Sequence, residues 1–206
     1  MIIKSFKNVN KIDKEIKINL GNNDFINLVN LVTRLYRPLN GFCNSKDVNN
    51  ILIHKRISKK NNWTIPIILS IKSKTKINFK KFYKLQYKNK IVGLIKPNDL
   101  FQINKKEYCK KIFSTFSNKH PYVKIISNLN NLFIGGKVFL LKKFLPKDKL
   151  FPKYKSEVKN IKNSVVFSTR NICHLGHQRI HEYIIKKNKR LVIAIIINDK
   201  NKFNPD

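Results

Sequence analysis

The sequence is poor in acidic residues, with 11 Asp and Glu against 44 Lys and Arg and a formal net charge of +33. Arginine is also scarce, because the basic residues divide into 38 Lys and 6 Arg. Lysine, asparagine and isoleucine are encoded by A/T-rich codons, so a bias in base composition can produce the lysine excess. Proteins that read nucleic-acid bases rely instead on arginine for bidentate contacts. The lysines are spread along the whole chain, so the charge indicates a solvated basic surface. Nucleic-acid binding is the weaker alternative.

Cysteines and long hydrophobic runs are scarce as well. The three cysteines are an odd and scattered set, which excludes a disulfide framework and favours a reducing, cytoplasmic setting. The longest aliphatic run, residues 191–197, is far shorter than the ~20 residues of a membrane-spanning helix. Residues 1–5 show no apolar secretory segment. What is present, 42% hydrophobic residues over 206 positions, is enough for a folded core.

The first part of the chain has the pattern of a β-rich region with short helices. Alternation up to Leu20 predicts a strand followed by a turn at residues 21–23. Asp24 is the predicted N-cap of a helix that Pro38 ends. The predicted apolar face of this helix comprises Phe25, Leu28, Leu31, Val32 and Leu35. Further strands are expected at 63–69, 82–87, 91–95 and 138–141, with a turn at 88–90 and a helix at 104–116.

The pattern changes after a boundary predicted at residues 143–154, where two prolines and several lysines interrupt the periodicity. The elements expected beyond it are a helix at 151–162, a strand at 164–168, a helix at 174–187 and an apolar strand at 191–197. In the second of these helices, the side chains predicted to face inward are those of His177, Ile180, Tyr183 and Ile184. The strand–helix–strand order implies a parallel pair of the doubly wound α/β type.

The residues that carry chemistry lie in the stretch 168–177, Ser-Thr-Arg-Asn-Ile-Cys-His-Leu-Gly-His, at the predicted junction from strand to helix. Parallel sheets bind ligands at such junctions, and the N–H groups of a helix N-terminus attract phosphate. His174 and His177 are three residues apart and can point toward one anion, while Gly176 lets a nucleotide approach closely. Arg170 can hold a second oxyanion by bidentate contacts.

The H-x-G-H motif resembles the mark of the nucleotidyltransferase superfamily, and the longer T-R-N-x-x-H-x-x-H resembles the active-site signature of the ATP sulfurylases (sulfate adenylyltransferases). Other similar segments follow in the family's order: P-L-x-G-F at 38–42, W-T-I-P-I at 63–67, F-S-T-x(4)-H-P-x-V at 113–123, G-G at 135–136 and N-K-F-N-P-D at 201–206. The resemblance implies an α+β, PUA-like, β-rich N-terminal domain at 1–147. It also implies an incomplete, Rossmann-like (HUP-type) α/β catalytic domain at 148–206.

The resemblance also assigns roles and a reaction. The catalytic set that it implies comprises Thr169, Arg170, Asn171, His174 and His177. The implied nucleotide and phosphate contacts are Ser168, Arg170, His174, Gly176 and His177, with sulfate at Ser168 and Arg170. In the implied reaction sulfate attacks the α-phosphorus of ATP and gives adenylyl sulfate and pyrophosphate. Mg²⁺ accompanies the nucleotide, and no protein nucleophile is needed.

Two residues depart from the family pattern, since Ser168 replaces a Gln and Ile172 a Pro. Ser168 leaves open a nucleotidyltransferase with another acceptor. A non-catalytic, PUA-like RNA-binding protein is a further alternative. Zinc is the weakest, because Cys173, His174, His177 and His181 have no second ligand cluster, and no metal site is expected. The family's catalytic domain continues past the region similar to 201–206. The sequence therefore predicts a truncated, split or degenerate enzyme, whose partner is a second copy or a complementary C-terminal chain.

Overall fold

The chain forms two units in its computed structural model, Met1–Leu145 and Pro146–Asp206. The structure describes residues 2–3, 12–72, 76–145, 164–169, 173–187 and 189–195. The helix predicted at 151–162, the motif residues Arg170 and Asn171, and the segment 196–206 lie outside the described residues. Within those ranges, no helix is both long enough and apolar enough to cross a lipid bilayer.

The described part of the N-terminal unit mixes strands and helices along the chain. The strands are β1 (Ile2–Ile3), β2 (Ile12–Asn19), β3 (Gly41–Phe42), β4 (Arg56–Ser58), β5 (Asn61–Asn62), β6 (Ser70–Ile71), β7 (Phe82–Tyr87), β8 (Lys90–Gln102) and β9 (Leu132–Leu141). The helices are α1 (Asn22–Val32), α2 (Ser45–His54), α3 (Lys105–Phe113) and α4 (Pro121–Ser127), with a 3₁₀ turn at Lys142–Phe144.

Strands β8 and β9 are the centre of a seven-stranded mixed sheet with the order β1-β9-β8-β7-β2, and β3 and β6 pair with parts of β9. The pairs β1–β9 and β2–β7 are parallel, and the other pairs of this sheet are antiparallel. Helices α1, α2 and α3 contribute Leu28, Ile51 and Tyr108 to one core with the buried residues of the sheet. Most of the stability of this unit therefore comes from apolar burial between helices and sheet.

The hairpin between β7 and β8 confirms the predicted turn. Lys88 and Asn89 have φ values of 46° and 59°, the positive values that a tight two-residue hairpin turn requires. Strand β8 continues well past the predicted 91–95 and includes Pro97. Its register against β9 shifts between Pro97 and Asp99, so the proline lies at a β-bulge. A bulge is one of the few places where a sheet tolerates a proline.

The N-termini of α2 and α3 follow from asparagine caps. The side chain of Asn44 accepts a hydrogen bond from the Asp47 N–H at 2.8 Å, and that of Asn104 accepts one from the Glu107 N–H at 3.1 Å. Such caps satisfy N–H groups that have no partner within the helix. The helix predicted at 104–116 is thereby confirmed. It ends at Phe113 because Ser114 takes a left-handed conformation with φ of 59°.

Helix α1 begins earlier and ends earlier than predicted. Its N-cap is Gly21 and not Asp24, whose carboxylate accepts a hydrogen bond from the Gly21 N–H at 2.9 Å. Leu28 and Leu31 are buried as predicted. Leu35 is 65% exposed, because the helix stops at Val32, well before Pro38.

The strand predicted at 63–69 is wrong. This segment makes isolated backbone bonds, from the Cys43 N–H to the Ile67 carbonyl and from the Ile134 N–H to the Leu69 carbonyl, in place of a continuous ladder. Trp63 and Ile67 are partly buried and Ile68 and Leu69 are buried, so most of the strand-forming residues here serve burial, although Ile65 is 51% exposed.

The glycine pair lies inside β9, and the strand was predicted to begin only after it. A Cβ at Gly135 would lie 2.6 Å from the Asn44 Cα, and one at Gly136 would lie 2.3 Å from the Lys96 carbonyl oxygen. Gly136 also has φ of 151°, which side-chain-bearing residues rarely adopt. These glycines let neighbouring backbone approach the centre of the sheet.

The C-terminal unit consists of β10 (Ser164–Thr169), α5 (Leu175–Lys186) and β11 (Arg190–Ile195) in its described part. The two strands are parallel over six residue pairs, from Ser164 opposite Arg190 to Thr169 opposite Ile195. The predicted strand–helix–strand order with a parallel pair is therefore confirmed.

The inward face of α5 differs in part from the prediction. Ile184 is buried, as predicted, but Ile180 and Tyr183 are 47% and 63% exposed. The covered face instead runs along His177, His181 and Ile184, which are spaced by four and three residues.

Candidate functional site

The junction between β10 and α5 holds those predicted phosphate-binding residues that the structure describes. Thr169 is buried at the end of β10, directly after the exposed Ser168. His174 is the N-cap of α5, and Gly176 and His177 lie in its first turn. The carboxyl end of a parallel strand therefore leads to a helix N-terminus, which is the place where α/β sheets bind phosphate. The predicted roles of Arg170 and Asn171 fall outside the described residues and stay predictions.

His174 and His177 cap this helix with their own side chains. The Nδ1 atom of His174 accepts a hydrogen bond from the Gly176 N–H at 3.2 Å, and the Nδ1 atom of His177 accepts one from the His174 N–H at 3.3 Å. This is the reciprocal pattern of a capping box, with imidazoles in place of Ser and Glu. A nitrogen that accepts carries no proton, so each neutral ring has its proton on Nε2. Both rings can therefore donate to an anion from Nε2.

Aromatic contacts set the orientation of these rings. The centroids of the His174 and His177 rings are 4.0 Å apart and the rings stack. Phe167 of β10 meets His177 at 5.1 Å and His181 at 4.7 Å, in both cases edge to face. The phenyl ring thus packs α5 onto β10, and this contact positions His177 as well.

Partial burial lowers the pKa of His177 below its usual value, and the nearby rings of His174 and His181 lower it further. The second cause is electrostatic, since a positive charge on one imidazole opposes a positive charge on its neighbours. His177 is therefore neutral at pH 7. In this state its ring can donate a hydrogen bond from Nε2.

We expect α5 to lose stability as the pH falls below the ordinary histidine pKa of ~6.5. Because folding lowers the pKa of His177, the unfolded chain binds the proton more readily. The contribution of this group is complete above the unfolded pKa and declines as the pH falls toward the folded pKa. Protonation also removes the Nδ1 acceptor that caps the helix. NMR signals of the α5 amides, followed over about pH 5–8, measure the loss.

His177→Gln is the control for this titration, because Gln at the third helical position keeps the capping acceptor and does not titrate. The variant should keep α5 ordered to lower pH than the parent chain. Equal loss of helical signal in both proteins would contradict the expectation.

Sequence reasoning considered His181 only as a zinc ligand and did not place it in the phosphate site. The structure shows that it packs on Phe167, four residues after His177 on the covered face of α5. The 177–181–184 spacing was the signal that could have found it. As for zinc, the described ranges contain no group of three His, Cys, Asp or Glu residues that could hold a metal ion.

Comparison with known sequences identifies the N-terminal unit. The sequence profile of the family described as "PUA-like domain" matches residues 4–143. The chain belongs to the PUA-like domain family. The mixed sheet around β8 and β9, with its covering helices, is the fold of this PUA-like domain, and the predicted PUA-like fold is confirmed.

Curated relatives extend the similarity beyond the PUA-like domain. A sulfate adenylyltransferase from Pyrococcus abyssi (strain GE5 / Orsay) is 30% identical over 191 residues, covering 88% of this chain and 48% of the relative. One from Thermococcus onnurineus (strain NA1) is 30% identical over 182 residues, covering 84% and 46%. These relatives confirm the resemblance to the ATP sulfurylases. The chain spans about half the length of the curated relatives it matches.

A larger protein and a solved structure match as well. A probable bifunctional SAT/APS kinase 2 from Sorangium cellulosum (strain So ce56) is 26% identical over 175 residues, covering 79% of this chain and 29% of that protein. The solved structure of a hexameric APS kinase from Thiobacillus denitrificans has a TM-score of 0.56 and 13% identity, covering 85% of this chain and 33% of that chain. At this identity the match shows the fold alone.

Proposed function

We propose that the chain acts as a nucleotidyltransferase of the sulfate adenylyltransferase type, with ATP and sulfate as substrates and adenylyl sulfate and pyrophosphate as products. The observation that carries the proposal is the stacked pair His174 and His177 at the N-terminus of α5, directly after a parallel strand. The names of the curated relatives support the same reaction. On this proposal residues 148–206 are the first part of a Rossmann-like catalytic domain.

The two histidines would bind the phosphates of ATP through their Nε2–H groups. Their Nδ1 atoms are engaged by the backbone of α5, so the rings cannot rotate to present the other nitrogen without giving up the cap. Donors held in this way stabilise negative charge that develops on a leaving group. ATP enters as its magnesium complex, which is the substrate form.

The proposed transfer needs no base from the protein. Sulfate is already fully deprotonated at neutral pH, and one of its oxygens forms the new bond to the α-phosphorus. The bond from that phosphorus to the bridging oxygen breaks, and pyrophosphate leaves with the electron pair. Charge on the leaving pyrophosphate is stabilised by His174 and His177, which act as donors and not as proton acceptors.

Sulfate would be held beside the nucleotide by Ser168 and Arg170. The side chain of Ser168 is a short hydroxyl where the ATP sulfurylases carry a longer amide, so the acceptor contact differs from that of the family. A nucleotidyltransferase with another acceptor is the second candidate, and this substitution favours it.

Pyrophosphate release from ATP is the direct test. We expect release that depends on sulfate, either from the full chain alone or after addition of a polypeptide that carries the rest of the Pyrococcus abyssi relative, since this chain covers 48% of it. Sulfate, molybdate, phosphate and a sugar phosphate are compared as acceptors. Faster release with a different acceptor would favour the second candidate. No release under any of these conditions would contradict both.

A further inference from the structure

A cleft of about 740 Å³ lies in the N-terminal unit, at the C-terminal end of α1. Its floor includes Leu31, Val32 and Leu39, which are buried, while Arg34, Arg37 and Lys137 line it as exposed side chains. Small-molecule sites occupy roughly 300–1,000 Å³ and combine apolar walls with a few polar groups. The cleft has this size and this composition.

The charge at the cleft has one sign. Among the described residues, no Asp or Glu lines it, and neither Arg34 nor Arg37 forms an ion pair. Two of the six arginines of a lysine-rich chain therefore face one cleft. Arginine differs from lysine in its planar guanidinium, which binds phosphate through two parallel hydrogen bonds.

The end of α1 places Arg34 beside the cleft. Arg34 has φ of 68°, the left-handed conformation that commonly follows the last turn of a helix. Its N–H donates to the Leu31 carbonyl at 3.3 Å, and the Leu35 N–H donates to the Asn30 carbonyl at 2.9 Å. Beside the arginines, the amides of Asn40 and Asn61 line the same cleft and can donate and accept hydrogen bonds.

We infer that this cleft binds a free nucleoside phosphate. The phosphate lies between the guanidinium groups of Arg34 and Arg37, and the planar base covers the apolar floor with its edge toward the asparagine amides. The size of the cleft suits one nucleotide and not a long polynucleotide. None of its lining residues belongs to β10 or α5, so the inference stands or fails separately from the proposed function.

The fluorescence of a tryptophan near the cleft can report ligand binding. Trp63 is the single tryptophan, and its ring meets that of Tyr36 edge to face at 5.9 Å. Tyr36 lies between Arg34 and Arg37 in the turn that borders the cleft. A ligand that orders this turn changes the environment of Trp63 and hence its fluorescence.

The test is a fluorescence titration of the full chain with AMP and ATP, corrected for absorption by the nucleotide, with adenosine and a short single-stranded RNA as comparison probes. AMP and ATP should give a saturable change that adenosine does not give. Arg34→Gln and Arg37→Gln should each weaken binding about tenfold, the effect of losing one hydrogen bond to a charged group. Repeating the titration in His174→Ala shows that binding at α5 does not contribute.

Arg56→Gln is the matched control, since Arg56 is an exposed arginine of the same unit that does not line the cleft. Its affinity should equal that of the parent chain. Thermal unfolding of all variants shows that they fold, which is expected because the replaced side chains are exposed. Unchanged affinity in Arg34→Gln and Arg37→Gln would overturn the inference. Binding of RNA without binding of AMP or ATP would overturn it too.

Discussion

Replacing His174 by Ala should lower sulfate-dependent pyrophosphate release by about 10²–10³-fold, the usual cost of removing one donor that stabilises developing charge. The side chain has one role that the structure shows and one that we propose. Its Nδ1 atom accepts a hydrogen bond from the Gly176 N–H and so caps α5, and its Nε2–H is the donor that we propose for the phosphate. Alanine removes both, so α5 should also lose about 1 kcal/mol of stability.

His174→Asn separates the two roles. The side-chain oxygen of Asn can accept the Gly176 N–H, and Asn is among the best N-cap residues. Its Nδ2–H₂ group can donate as well, but it lies nearer the backbone than the Nε2–H of histidine and does not reach the same position. We expect its circular dichroism and unfolding curve to match those of the parent chain, while pyrophosphate release falls as far as in His174→Ala.

Gln178→Ala serves as the control on the same helix, because Gln178 is exposed and its side chain bonds only Glu182 among the described residues, at 2.9 Å. Release by this variant should stay within about twofold of the parent chain, in line with the small effect of an exposed i,i+4 pair. Near-parental release by His174→Asn would remove the phosphate role from His174.

Replacing Gly136 by Ala should destabilise the PUA-like domain by about 3–5 kcal/mol, the range of severe core substitutions. The added Cβ would lie 2.3 Å from the Lys96 carbonyl oxygen and 2.7 Å from the Pro97 Cα, both of which are backbone atoms of β8. Backbone in the central ladder cannot move aside without breaking hydrogen bonds. The φ of 151° at this residue adds strain for alanine.

Urea unfolding followed by Trp63 fluorescence measures this loss as a lower midpoint. Gly21→Ala is the control, because a Cβ there meets only the Asp24 carboxylate at 3.4 Å and φ is −73°, which alanine adopts readily. It should change the free energy of unfolding by less than about 1 kcal/mol. Equal midpoints for Gly136→Ala and Gly21→Ala would show that the close approach of the β8 backbone to Gly136 does not require glycine.

Local sequence signals predicted those elements whose structure depends on neighbouring residues. The hairpin at Lys88 and Asn89 and the helix capped by Asn104 were both predicted, because turns and caps are determined within a few residues. The strands β10 and β11 were also predicted, from short apolar runs on either side of a helical pattern.

Two features of the PUA-like domain that depend on distant pairing were not predicted correctly. The segment 63–69 is rich in strand formers, but whether it joins a ladder depends on what lies beside it in the sheet. Gly135 and Gly136 were interpreted as a break before a strand. Their close contacts with Asn44 and Lys96 involve residues far away in the chain.

The candidate site was predicted as a set of residues but not as a geometry. The motif predicted His174, Gly176 and His177 as phosphate-binding residues. The structure brings these together at one helix N-terminus. Which nitrogen of each ring carries the proton depends on hydrogen bonds that the motif does not contain. The cleft at Arg34 was not predicted at all, because Lys137 reaches it from the other end of the domain sequence.

The small amount of apolar burial around α5 has a thermodynamic consequence. Ile184 is the one buried apolar residue among residues 164–169, 173–187 and 189–193. Ligand binding stabilises the folded form by RT ln(1 + [L]/Kd), about 2.7 kcal/mol when the ligand is present at 100 times Kd. On the proposed function, a nucleotide bound at α5 would add this amount to the free energy that keeps the junction of β10 and α5 folded. Substrate and helix order are then thermodynamically linked, and the nucleotide level in the surroundings would set the fraction of chains in which α5 is formed.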